Sequence, residues 1–102
     1  YQALDTGKVD TANIFTTDAQ LASGKYTVLK DPKGVFGFQN VAFVIDKNKL
    51  AQLGGDQFMG VINSVNKLLT TDAITAMNKA VAIDKQDEAV VAKQFLTANK
   101  LT

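Results

Sequence analysis

The sequence contains no cysteine, no histidine and no arginine, and it holds a single proline among its 102 residues. Without cysteine there are no disulfides, no thiolate nucleophile and no zinc cluster of the Cys/His kind; without histidine there is no imidazole general base. Cysteine-free chains occur in oxidising and reducing compartments alike, so this absence does not identify a location. Arginine is the residue of choice for bidentate contacts to phosphate and base edges, and its absence argues against a nucleic-acid partner. It also removes the usual fork-like clamp for a carboxylate ligand. Long apolar runs are missing too. The longest, from Val41 to Ile45, is far too short to cross a bilayer. No basic start followed by an apolar stretch opens the chain, so no signal segment is recognisable, and a mature or trimmed chain would have lost one.

What is present describes one ordinary globular domain. The hydrophobic fraction is 46% and the charged fraction 21%, which is close to the average for folded domains. Eleven lysines face nine aspartates and one glutamate for a net charge of +1, and the charges are scattered rather than blocked. Of the two serines, neither Ser23 nor Ser64 stands in a Gly-x-Ser-x-Gly elbow or a Ser-x-x-Lys arrangement. Catalysis has little to work with, and no cofactor is implied.

Along the chain the pattern predicts strands first and helices afterwards. Residues 1–5 read as the last turn of a helix stopped by Gly7 as a left-handed cap. Residues 9–15, 26–29 and 40–46 carry the apolar and β-branched residues of short strands, the last of them apolar enough to be buried on both faces. Gly24 is expected to end a short helical segment over 19–22. Asp31-Pro32-Lys33-Gly34 has the residue order of a type I turn. Beyond Lys47 the spacing becomes helical: Asp56 caps a helix to about Leu69 with Phe58, Val61, Ile62 and Val65 on its stripe. Thr71 or Asp72 caps a second with Ile74, Met77 and Val81 inward. Asp87 caps a third with Val91, Ala92, Phe95 and Leu96 inward.

Two stretches stand out as candidate sites. Ile14-Phe15-Thr16-Thr17-Asp18 places an aromatic, two hydroxyls and an acid where an expected strand meets a helix, the place where ligands bind in open α/β sheets. Helix capping by Thr16, Thr17 or Asp18, with Phe15 in the core, accounts for the same residues, and local pattern alone favours that plainer reading. Val35-Phe36-Gly37-Phe38-Gln39-Asn40 offers aromatic walls and two amides to a pocket, or simply a loop whose rings tuck beneath it. Gly34 and Gly37 lack the further glycine and the Lys-Ser/Thr ending of a phosphate loop. Asp84, Asp87 and Glu88 cluster without calcium-loop spacing, and capping explains the aspartates. Lys47, Lys49 and Lys67 mark solvated faces.

Four of these segments, in order, resemble the C-terminal part of the substrate-binding protein of ABC importers for glycine betaine, choline and related osmoprotectants. They are Tyr1-Gln2-Ala3-Leu4 with Gly7, Val9 and Asp10; Phe15-Thr16-Thr17-Asp18; Leu29-Lys30-Asp31-Pro32 followed by Phe36; and Met77-Asn78 through Val81, then Asp87, Val91-Ala92 and Phe95-Leu96. The resemblance implies an α/β chain, the C-terminal portion of a type II bilobal periplasmic-binding-protein fold, with short strands followed by a helical C-terminal half. Residues 1–39 would belong to the second, inserted lobe, 40–46 to a crossing strand and hinge, and 47–102 to the helical completion of the first lobe. The chain is then expected to be a fragment of an extracytoplasmic protein, periplasmic or a cell-surface lipoprotein. It is expected to bind weakly or not at all alone.

That family holds a quaternary ammonium in an aromatic cage through cation–π attraction. By the matched motifs Phe15 takes the place of one cage tyrosine and Gln39 of another, with Phe38 adjacent, while Thr16, Thr17 and Asp18 set the pocket's polar edge or cap the following helix. Phe15 keeps a ring without its hydroxyl and Gln39 has no ring face, so which osmolyte is bound stays open. The implied partners are a betaine- or choline-like solute and a membrane permease, with a segment-exchanged homodimer as one way to cover exposed surface. A stand-alone α/β interaction domain is the alternative reading, and an enzyme using a perturbed Asp or Lys is a third.

Overall fold

The computed structural model describes residues 1–37 and 42–101. Its elements are α1 (Gln2–Asp5), a 3₁₀ helix (Ala19–Ser23), α2 (Lys47–Gln52), α3 (Asp56–Asn66), α4 (Thr71–Ala82) and α5 (Glu88–Ala98). No helix among the described residues is long and apolar enough to cross a membrane.

Local chemistry sets most of the ends. After α1, Gly7 takes a left-handed φ of 66°, so that Lys8 donates its N–H to the Ala3 carbonyl at 2.8 Å and Gly7 donates to Leu4 at 3.1 Å. This paired closure satisfies carbonyls that the short helix would leave open. Asp46 caps α2 by accepting from the Lys49 N–H at 3.0 Å. At α3 the cap position falls to Gly55, and Asp56 lies inside the first turn, where its charge still suits the positive end of the helix dipole. The helix closes at Asn66, short of Leu69, and Val61 remains 58% exposed. The cap of α4 is Thr70, one residue before the expected Thr71, and its hydroxyl accepts from the Ala73 N–H at 3.2 Å. Asp87 caps α5 as expected, accepting from the N–H groups of Ala89 and Val90 at 2.9 and 3.1 Å.

The expectation of an α/β fold with short strands is overturned: no strand occurs among the described residues, and every regular element is helical. Residues 9–15, 26–29 and the described part of 40–46 run as irregular segments. A strand exists only through a ladder with a neighbour, and β-branched composition cannot supply one. The burial that composition suggested fails as well. Phe43 and Val44, expected inside on both faces, are 65% and 96% exposed. Only the helical half of the expected pattern is present among the described residues.

Two compact units make up the chain. One joins Tyr1–Thr27 to Leu69–Thr102, and the other is Val28–Leu68. In the first, α4 packs against the 3₁₀ helix and against α5. Ala19 and Val91, at 6% and 5% exposure, are the buried side chains among the described residues, one on each of the elements that α4 touches. Ile74, Met77 and Val81 of α4 and Phe95 and Leu96 of α5 are half-buried, while Ala92, expected inward, is exposed. In the second unit a groove of ≈ 460 Å³ lies between residues 42–45 and the helical pair α2 and α3, with Leu50, Phe58, Met59 and Ile62 along its wall.

Candidate functional site

Phe15, Thr16, Thr17 and Asp18 form a single turn in the first unit, closed by the Asp18 N–H donating to the Phe15 carbonyl at 3.0 Å. The turn opens onto the 3₁₀ helix through Asp18, whose φ of −62° and ψ of 133° put it in the N-cap position. Its side chain makes no cap, however. Instead Asp18 accepts the hydroxyl of Tyr1 at 2.9 Å. Helix capping therefore does not explain what this carboxylate does.

The two middle carbonyls face α4. Thr17 accepts from the Asn78 side-chain amide at 2.8 Å, and Thr16 lies 3.3 Å from the Thr75 hydroxyl. Thr75 has one proton and sits closer to the Thr71 carbonyl, at 2.8 Å, so its contact with Thr16 is the lesser of its two. Asn78 and Thr75 lie three apart on α4 and so share one face. The hydroxyls of Thr16 and Thr17 meet no hydrogen-bond partner among the described residues. Phe15 is 65% exposed. A turn held at its backbone thus leaves Phe15 and Thr16 exposed and Thr17 half-buried.

Behind the turn is a polar and aromatic cluster. The rings of Tyr1 and Tyr26 meet edge to face, 5.0 Å between centroids at 65°. Tyr26 donates its hydroxyl to Asp5 at 2.8 Å, and Lys25 pairs with the same carboxylate oxygen at 2.6 Å. Partial burial first, and the Asp18 carboxylate second, keep the Tyr1 phenol protonated, with its pKa pushed up to about 12. Hydrogen bonds from Lys25 and then Tyr26 hold the Asp5 carboxyl below the usual range, and the bond to Asp5 raises the Lys25 ammonium in turn.

The second candidate stretch is described only through Gly37, and Phe38 and Gln39 lie outside the described residues. The turn preceding them has the expected form: the Gly34 N–H reaches the Asp31 carbonyl at 3.3 Å, and Asp31 also accepts from the Phe36 N–H at 2.9 Å. The backbone amides of Phe36 and Val35 lower the Asp31 carboxyl. Phe36 is 70% exposed and does not tuck under its loop. Among the C-terminal acids, Asp84 is tied to Lys79 at 2.6 Å and Asp87 caps α5, so the two carboxylates serve different partners. Sequence reasoning missed Tyr1, Thr75 and Asn78 as supports of the turn, because each meets it from 17 or more residues away.

A match to the family described as the substrate binding domain of ABC-type glycine betaine transport systems covers residues 1–98. The chain is 27% identical over 96 residues to the ergothioneine transport permease/ergothioneine binding protein EgtU of Helicobacter pylori, covering 94% of this chain and 17% of that protein. It is 32% identical over 101 residues to a glycine-betaine-binding protein of Pseudomonas aeruginosa, covering 99% of this chain and 32% of the relative. The chain thus spans about a third or less of the length of these curated relatives. No solved structure matches it significantly. With the match running over almost all of its residues, this chain belongs to the family of substrate-binding domains of ABC-type glycine betaine transport systems.

Proposed function

We propose that the chain supplies one wall of a site for a small zwitterion carrying a quaternary ammonium and a carboxylate, as part of the solute-binding component of an ABC importer. Family membership makes the chain a solute binder, not an enzyme. The two relatives are named for glycine betaine and ergothioneine, and both molecules join a trimethylammonium to a carboxylate. The observation that carries the proposal is the turn at 15–18. An exposed Phe15 ring offers the face that attracts a quaternary ammonium, a contact of about 0.5–2 kcal/mol depending on desolvation. The Thr16 and Thr17 hydroxyls, without partners among the described residues, are donors for the carboxylate that no arginine is present to clamp.

In this reading two lobes close on the solute, and a membrane permease recognises the closed form outside the cytoplasm. Phe38 and Gln39 complete this chain's contribution. The remaining walls come from polypeptide beyond these 102 residues, which agrees with the share of the relatives that the chain spans. Binding by the isolated chain is accordingly weak or absent.

Titration calorimetry with glycine betaine, ergothioneine, choline, carnitine and proline tests this, on the 102-residue chain and on the chain joined to the rest of its polypeptide. The informative comparison is glycine betaine against its tert-butyl analogue, in which carbon replaces the charged nitrogen at the same shape. The longer protein is expected to bind glycine betaine or ergothioneine and to reject the uncharged analogue. Phe15→Ala weakens that binding about tenfold, and Phe15→Tyr retains it. Equal affinity for the charged and uncharged forms removes the cation–π basis. No heat from any solute, with both proteins folded, favours a protein-interaction domain instead.

A further inference from the structure

We infer that Asn78 is a positioning residue for the ligand-bearing turn, fixing from α4 the backbone that presents Phe15, Thr16 and Thr17. The inference rests on the solute-site reading above for its functional meaning, and on the geometry of the turn for its physical content.

Asparagine is a poor choice for the interior of a helix, since its short amide competes with the backbone for hydrogen bonds. Asn78 nevertheless sits eight positions into the twelve-residue α4, and it leaves its own helix to donate to Thr17, 61 residues away, at 2.8 Å. The Thr17–Asp18 peptide is thereby tied at both ends. Its carbonyl accepts from Asn78, and its N–H donates to the Phe15 carbonyl at 3.0 Å. In a trans peptide these two groups point in opposite directions, so the pair of bonds fixes the rotation of that plane. Three residues earlier on the same face of α4, Thr75 approaches the preceding carbonyl, of Thr16, at 3.3 Å. Seating that carbonyl toward α4 turns the Thr17 N–H the other way, on the side away from the helix.

The location of the bond separates positioning from plain stabilisation. Asn78 is exposed, and water can replace most of what an exposed amide–carbonyl bond gives to folding. Direction is what water cannot replace. Asn99 provides a comparison. Its amide donates to the Phe95 carbonyl, also at 2.8 Å, at the C-terminal end of its own helix, α5.

The test compares Asn78→Asp with Asn99→Asp. An ionised aspartate only accepts, so at position 78 it faces the Thr17 carbonyl without a proton to share. In the polypeptide that binds glycine betaine, Asn78→Asp is expected to weaken binding about tenfold at neutral pH, the scale of one lost hydrogen bond plus the repulsion that replaces it. Affinity recovers toward the wild-type value at the same pH as the new carboxyl protonates near or above its ordinary value of about 4. Asn99→Asp leaves affinity unchanged while lowering stability. In the 102-residue chain, ¹⁵N order parameters of Thr16, Thr17 and Asp18 fall for Asn78→Asp and hold for Asn99→Asp. Wild-type affinity in Asn78→Asp, or equal losses in the two variants, overturns the inference. Should wild type bind none of the solutes, the order parameters decide alone. A turn loosened only by Asn78→Asp keeps the positioning role while the solute reading fails, and an unchanged turn ends the inference too.

Discussion

Tyr1 donates its hydroxyl to Asp18 while its ring stands edge-on to Tyr26, so one side chain joins the turn at 15–18 to the Asp5–Lys25–Tyr26 cluster. Its phenol has an ordinary pKa of 10.0 and a folded value of about 12. A raised pKa means that the folded state favours the protonated form, so the contribution is intact below pH 10 and disappears as pH rises toward about 12. Thermal melts across that window are expected to show a steeper loss for wild type than for Tyr1→Phe, which has no proton to lose there. Asp5 acts at the other end of the scale. Its carboxyl is lowered by Lys25 and Tyr26, so its contribution is present above the ordinary carboxylate pKa and fades as acid titrates it through the lowered value. The residue types of the turn at 15–18 were legible in the sequence because they are contiguous. Their supports were not. Nothing local marks Tyr1 as the partner of Asp18 or Asn78 as the partner of Thr17, since both pairings exist only after the chain has folded.

Helix starts read well from sequence because a cap involves only one side chain and the N–H groups two or three residues on. Asp87 was legible for that reason, and Thr70 escaped by a single position because Thr70, Thr71 and Asp72 are all competent caps. Replacing Thr70 or Asp87 by alanine is expected to cost about 1 kcal/mol each. Asp56→Ala, at a residue that lies inside α3 and caps nothing, is expected to cost only a few tenths. Urea midpoints of the three variants check the ordering, and an Asp56 loss as large as that at Asp87 contradicts the assignment of Gly55 as the cap. Strands were misread for the opposite reason. Residues 40–46 have strand composition, but pairing depends on an edge contributed from elsewhere, and Phe43 and Val44 stand exposed.

At the scale of the molecule, burial of apolar side chains is concentrated in few places. Val91→Ala trims one of the two side chains buried among the described residues, and it is expected to cost roughly 1.5 kcal/mol or more. Each kilocalorie lost from a domain this small lowers the thermal midpoint by roughly 4–8 °C, so a melting curve reads the change directly. The groove walled by Leu50, Phe58, Met59 and Ile62, with Phe43 and Val44 beside it, is expected to bind an apolar dye such as ANS. Phe43→Ser and Val44→Thr should each reduce that fluorescence, and undiminished fluorescence in both would place the dye elsewhere. The way α4 joins two distant stretches of chain has a further consequence for how the protein is made. Thr17 leaves the ribosome 61 residues ahead of Asn78, a delay of about 3–12 s at ordinary synthesis rates of roughly 5–20 residues per second. Throughout that interval the nascent turn lacks the Thr75 and Asn78 side chains that hold its carbonyls, so residues 15–18 should stay open to a protease and gain protection only once α4 has emerged.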